Sequence, residues 1–125
     1  MPPDQRNDPQ VWERFVQRLI QKTDSGDLTW SDLSGGKNRE SLTGSLFFTP
    51  VSARQGIVAY RYDSPHWVDE DTFIPASDVA IEITDLDGKH LWTIPKTAAH
   101  GDLLDLLQFQ QAEAATLFSE LVDSA

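Results

Sequence analysis

The sequence predicts an α+β fold: a mostly antiparallel sheet of four or five strands, packed on one face by an N-terminal and a C-terminal helix. Three observations carry that expectation. Apolar residues recur at helical spacing near both ends of the chain, the segments between them read as strands, and Asp87-Gly88 marks a tight hairpin turn. The 125 residues include 39 large apolar side chains (Val, Ile, Leu, Met, Phe, Trp, Tyr), enough for one core without cross-links. One α+β domain is therefore expected over residues 8–125, after a disordered leader at 1–7.

Asp8-Pro9 supplies a helix start, with an N-cap carboxylate and a proline where its missing N–H costs nothing. Trp12, Phe15, Val16, Leu19 and Ile20 then form one apolar stripe, and Arg14, Arg18 and Lys22 stack on the opposite side. Gly26 turns the chain out of the helix, Leu28-Thr29-Trp30 reads as a short extended piece, and Ser31 to Glu40 as a flexible loop. Leu42 to Thr49 alternates as a two-sided strand stopped by Pro50, and Ile57 to Tyr62 is a second strand. From Asp63 to Ser77, fifteen residues with Pro65, Pro75 and the triplet Asp69-Glu70-Asp71 do not fit a sheet.

The hairpin Val79 to Ile94 is expected to close through a two-residue type I′ turn at Asp87-Gly88. That turn would pair Leu86 with Lys89, Ile83 with Trp92 and Ile81 with Ile94. Val79, Ile81, Ile83, Trp92 and Ile94 then share one face, and Ala80, Glu82, Thr84 and Thr93 the other, as in a sheet covered on one side only. Beyond Pro95, one helix is expected from Gly101-Asp102 to Asp123, capped by Asp102 or begun earlier at Thr97. Its stripe of Leu103, Leu107, Gln110, Ala114, Leu117 and Leu121 is widened by Leu104, Phe118 and Val122.

This order resembles a loose group of small bacterial and phage proteins with the pattern helix, T-x-x-G-x-hydrophobic-x-W, sheet, helix. Thr23, Gly26, Leu28 and Trp30 carry the motif here. The resemblance implies an α+β fold and no activity. The Asp63 to Ser77 excursion is longer than that group's simple meander requires.

Charge is distributed unevenly. The net charge is −10; residues 1–60 hold seven Lys/Arg against seven Asp/Glu, whereas residues 61–125 hold three against thirteen. A one-sided acidic field would repel nucleic acid and anionic membranes and attract basic proteins. With no cysteine, disulfides and thiolate metal sites are excluded. The start of the chain lacks the pattern of a secretory signal and no apolar run is long enough to span a bilayer, so a soluble cytoplasmic protein is expected.

No catalytic, cofactor or metal site is assigned. His66, His90 and His100 lack HxH, HxxxH or HExxH spacing and are expected as three separate surface histidines, His90 lying opposite Asp85. Asp85-Leu86-Asp87-Gly88 opens like a calcium loop, but the twelfth position is Lys96 in place of a bidentate Glu. Ser34-Gly35-Gly36-Lys37-Asn38 lacks the first glycine and the terminal hydroxyl of a phosphate-binding loop. A G-x-S-x-G elbow is absent, and Tyr60, Arg61 and Tyr62 are too isolated to bind RNA.

The segment that remains is Pro65 to Pro75, where Trp67 and Phe73 flank Asp69, Glu70 and Asp71: aromatic anchors beside dense negative charge, the composition of a protein-binding patch. The expected function is a non-enzymatic binder or inhibitor of a basic protein partner, similar in kind to immunity proteins and antitoxins. A small acidic secretion-type chaperone acting as a homodimer is the alternative, and a His/carboxylate hydrolase ranks below both.

Overall fold

The computed structural model describes residues 6–33, 42–63, 66–74 and 76–122. The first helix, α1 (Pro9–Asp24), starts where Asp8 Oδ1 accepts the Gln10 N–H at 2.9 Å, with Pro9 in the first turn. Trp12, Val16 and Leu19 are buried, and Phe15 and Ile20 pack at the edge of the same cluster. Gly26, at φ 87°, takes the left-handed conformation that ends the helix. The Thr23 hydroxyl donates to the Leu19 carbonyl at 2.7 Å and accepts the Trp30 indole N–H at 3.0 Å, while the Leu28 N–H returns to the Lys22 carbonyl at 3.0 Å. Thr23, Gly26, Leu28 and Trp30 are thus a helix stop and its latch. Leu28–Trp30, expected to be extended, belongs to that latch instead.

The strand β1 (Ser31–Asp32) follows, occupying the first part of the expected loop; Ser34 to Asn38 lie outside the described residues. After β2 (Leu42–Pro50) and β3 (Gly56–Asp63) comes a separate two-stranded ribbon, β4 (His66–Trp67) and β5 (Phe73–Ile74), and then β6 (Ser77–Thr84) and β7 (His90–Thr93). The main sheet is antiparallel, in the order β1-β2-β3-β6-β7. The fold is α+β, with a five-stranded main sheet and helices from both ends of the chain, as the residue pattern predicts. Between Thr43 and Leu46 the β2–β3 register shifts, with Gly44 and Ser45 forming a bulge.

The β6–β7 hairpin keeps the expected pair Ile83–Trp92, and the Ile94 N–H bonds to the Ile81 carbonyl at 2.9 Å. Its turn differs. Gly88 N–H bonds to the Asp85 carbonyl at 3.2 Å and Asp85 N–H to the Lys89 carbonyl at 3.0 Å, and only Gly88 has positive φ (85°). This is a type I turn closed by a left-handed glycine, a three-residue loop in place of the two-residue type I′ turn. Asp85 explains the choice, because its Oδ1 accepts the N–H groups of Asp87 and Lys89, each at 2.9 Å, and favours the type I geometry. Leu86 therefore does not pair with Lys89. The register is restored by Leu91, which is left unpaired between His90 and Trp92 opposite the Ile83–Thr84 step, so Thr84, not Asp85, lies opposite His90. His90 Nε2 instead meets Thr93 Oγ1 at 2.8 Å.

Helix α2 (His100–Gln111) begins from Thr97, whose Oγ1 accepts the Ala99 N–H at 3.2 Å. It ends at Ala112, well short of the expected Asp123, because Glu113 takes a left-handed φ of 52° and starts a separate helix, α3 (Ala114–Val122). Helices α1 and α2 cover one face of the sheet: Trp12, Val16, Leu19, Leu103, Leu104 and Leu107 pack on Phe47, Ile57, Ala59, Val79 and Ile81. Burying these side chains at about 1.5–3 kcal/mol each supplies most of the drive to fold.

The other face is not simply solvated, which corrects the expectation of a sheet covered on one side. Leu46, Phe48, Val58 and Tyr60 form a second buried cluster there, and Glu82 and Thr84 are buried beside it. The Tyr60 hydroxyl donates to Glu82 Oε2, the partner a buried carboxyl group requires. Gly56 shows how tightly this layer is filled: a Cβ built on it would lie 2.8 Å from Phe48 Cζ and 3.1 Å from the Thr49 carbonyl oxygen. Gly56→Ala is expected to cost about 1–3 kcal/mol through overpacking. A urea midpoint equal to that of the parent would show that Phe48 moves freely.

Candidate interaction site

The β4–β5 ribbon leaves the sheet where Asp63 pairs with Ser77. Trp67 lies opposite Phe73 and His66 opposite Ile74, and the Trp67 and Phe73 rings pack with centroids 5.1 Å apart at 55°. Alternation places these two aromatics on one side of the ribbon and His66 and Ile74 on the other. Neither side enters a core cluster. Trp67 is 58% and Phe73 50% exposed, and Val68 and Ile74 are exposed to a similar degree. The aromatics therefore do not pin the segment to the core; they stack on each other at the surface.

The turn carries the acidic triplet. Val68 N–H bonds to the Thr72 carbonyl at 3.0 Å, and Asp69 Oδ1 accepts the Asp71 N–H at 2.9 Å, an Asx-turn that orders the tip. That backbone hydrogen bond, helped by one from the Thr72 hydroxyl, holds the Asp69 carboxyl below the usual carboxylate range. Asp69, Glu70 and Asp71 are all exposed. All five residues singled out from the sequence thus stand on one short ribbon.

Five of the remaining acidic residues of residues 61–125 do not add to the triplet. Eight-residue β3 and β6 separate the ribbon from the Asp85–Gly88 turn at the other end of the sheet by about 23 Å. That exceeds the roughly 8–10 Å over which exposed charges interact at physiological salt. Asp78 pairs with Lys96, Asp105 with Arg61 at 3.6 Å, and Glu82 is buried against Tyr60. These five residues are paired, buried or distant, and the ribbon's own triplet is a dense exposed acidic cluster.

His66 and His90 are exposed, but His100 is only 1% exposed, which corrects the expectation of three surface histidines. Among the described residues, no group of three or more His, Cys, Asp and Glu is placed to hold a metal ion. Asp85 spends its side chain on its own turn. A cleft of about 420 Å³ lies between the end of α1, β1 and the end of α2, lined in part by Trp30, Asp32, Leu107, Gln110 and Gln111. Trp30 there is held by Thr23, and Gln111 donates to Asp32 at 3.3 Å and to Ser45 at 2.7 Å, so its polar groups serve the latch and the helix end.

The sequence reading missed one surface. Leu117, Phe118, Leu121 and Val122, expected on the apolar stripe of one long helix, are all more than half exposed on α3, which has no buried residue. Gln110, a polar residue on that stripe three positions before the break at Glu113, is the signal that the covered face stops there. Among the described residues, no helix is long and apolar enough to cross a membrane. Comparison of the chain with protein-family models, characterised proteins and solved structures finds no match.

Proposed function

We propose that this chain is a non-enzymatic protein-interaction module that binds and inhibits a basic protein partner through the β4–β5 ribbon. The carrying observation is the half-exposed Trp67–Phe73 pair beside the exposed Asp69-Glu70-Asp71 turn. An isolated two-stranded ribbon is marginal in water, so apolar side chains exposed on both its faces favour a partner that covers them. Rigid aromatics supply binding energy at low entropic cost, and the acidic tip steers a cationic surface onto them. This is the working arrangement of a small inhibitor that blocks a basic target, as immunity proteins and antitoxins do.

The test is photo-crosslinking in the producing cells from a benzoylphenylalanine placed at Phe73, with mass spectrometry of the adduct and affinity measured on the partner so found. Trp67→Ala with Phe73→Ala is expected to weaken binding by about 100-fold. Neutralising the triplet (Asp69→Asn, Glu70→Gln, Asp71→Asn) is expected to slow association about tenfold at low salt and flatten its salt dependence. An acidic partner, or affinity unchanged by either set, would refute the reading.

A further inference from the structure

We propose that α3 is the seam of a homodimer, in which the apolar stripe of one chain lies antiparallel against the same stripe of a second copy. Ala114, Leu117, Phe118, Leu121 and Val122 fall at i, i+3, i+4, i+7 and i+8 on one face of the helix. Leu121 is 74% and Phe118 64% exposed, and no α3 residue is buried. A nine-residue helix is too short to persist in water on its own propensity, so its apolar face needs a covering surface.

Three observations select a second copy as that surface. The first is charge: the stripe has no ionisable group, so a like stripe covers it without burying one. Glu113 and Glu120 flank it and α3 has no Lys or Arg, which disfavours anionic lipid and nucleic acid. The second is shape. Small Ala114 stands at the start of the stripe and the bulk of Leu121 and Val122 at its end, so antiparallel pairing sets large side chains against small ones. The third is area. Four large apolar side chains, each more than half exposed, offer roughly 500 Å² per chain, and two chains about 1,000 Å², the lower bound of a specific interface.

The helix is also presented outward. Gln110 donates to the Thr23 carbonyl at 3.4 Å and Gln111 to Ser45, fixing the end of α2, and the left-handed Glu113 then turns the chain out of the α2 direction. This seam is independent of the ribbon at residues 66–74.

Sedimentation of the full chain from about 1 to about 100 µM tests it. The mass of two chains is expected at the upper end. Leu121→Asp and Phe118→Asp are each expected to weaken self-association at least tenfold, with any loss of helical circular dichroism confined to the nine residues of α3 and the urea midpoint of the rest of the fold unchanged, because no α3 residue is buried in the core. The chain has no cysteine, so single replacements report geometry. Leu117→Cys, near the midpoint, should close a disulfide with its own copy under mild oxidation, whereas Val122→Cys, at one end, should not. A monomer at every concentration overturns the proposal, as does a dimer that survives Leu121→Asp. Val122→Cys cross-linking as readily as Leu117→Cys refutes the antiparallel seam, and loss of the dimer in Trp67→Ala with Phe73→Ala assigns self-association to the ribbon.

Discussion

Trp12→Ala is expected to lower the free energy of unfolding by about 3–5 kcal/mol, a large fraction of the 5–15 kcal/mol available to a domain of this size. Trp12 joins three parts of the molecule at once. Its ring meets Phe15 edge-on at 5.3 Å and Trp92 at 5.1 Å, and its indole N–H donates to the Arg6 carbonyl at 2.6 Å. The contact with Trp92 matters most, because β7 is a four-residue strand at the edge of the sheet. Its hydrogen-bonded neighbour is β6, so the Trp12–Trp92 contact is what ties its apolar side to a helix. Hydrogen exchange at His90–Thr93 should therefore quicken more than exchange in β3. Trp12→Phe separates the contributions: it keeps most of the packing, gives up the bond to Arg6 and should cost about 1 kcal/mol. Urea denaturation measures both, and a loss below 1 kcal/mol for Trp12→Ala would remove Trp12 from this role.

Acidification from pH 7 to pH 5 is expected to destabilise the protein through His100, by at most about 1.4 kcal/mol per pH unit. Its Nδ1 accepts the Thr97 N–H at 3.1 Å and contacts the Thr97 hydroxyl at 2.9 Å, so the ring takes the place of the Glu or Gln in a capping box. Only an unprotonated Nδ1 accepts. Nε2 is buried and has no hydrogen-bond partner among the described residues. Burial pushes the imidazole pKa below its ordinary 6.5, helped by Lys96, while the Ile94 backbone and Asp78 oppose the shift.

Since the folded value is depressed, the unfolded chain takes up the proton first. Stability is full above about pH 6.5 and falls as the pH drops from there towards the lower folded value. Asp78 acts in a separate, more acidic window: its hydrogen bond to Lys96 lowers its pKa, so its contribution is lost only as the pH falls from below 4 through that lowered value. His100→Gln keeps an acceptor for Thr97 but does not titrate. It should flatten the stability profile between pH 7 and pH 5 and keep most of the Asp78 window, whose main cause is the Lys96 hydrogen bond and in which His100 has the smallest share. A wild-type slope in that variant would exclude His100 as the titrating group.

The elements legible in the sequence are those where one signal suffices. Asp8-Pro9 and the stripe from Trp12 to Ile20 define α1, and the alternation around Ile81, Ile83, Trp92 and Ile94 gives both the core face and the pairing of the last hairpin. Where two local signals compete, the reading goes astray. Asp87-Gly88 alone favours a type I′ turn, but the Asp85 side chain captures two N–H groups and lengthens the loop by one residue. Leucine spacing alone extends the last helix, and the polar Gln110 on its stripe is the sign that the covered face stops near the left-handed Glu113 that divides it. His100 was misplaced because burial is a tertiary property that the identity of a residue does not carry. The five ribbon residues were visible by composition; that their aromatics stack on each other away from the core required the fold.

The ribbon's point of attachment has a consequence for how this protein can change. β3 and β6 are hydrogen-bonded neighbours, paired without interruption from Gly56–Thr84 to Asp63–Ser77, so everything between Asp63 and Ser77 is a detour within an already complete hairpin. Such a detour can be shortened, lengthened or replaced while the scaffold beneath keeps its architecture. The molecule is in effect a socket with an exchangeable head, so under the proposed function a change of partner requires changes in the head alone.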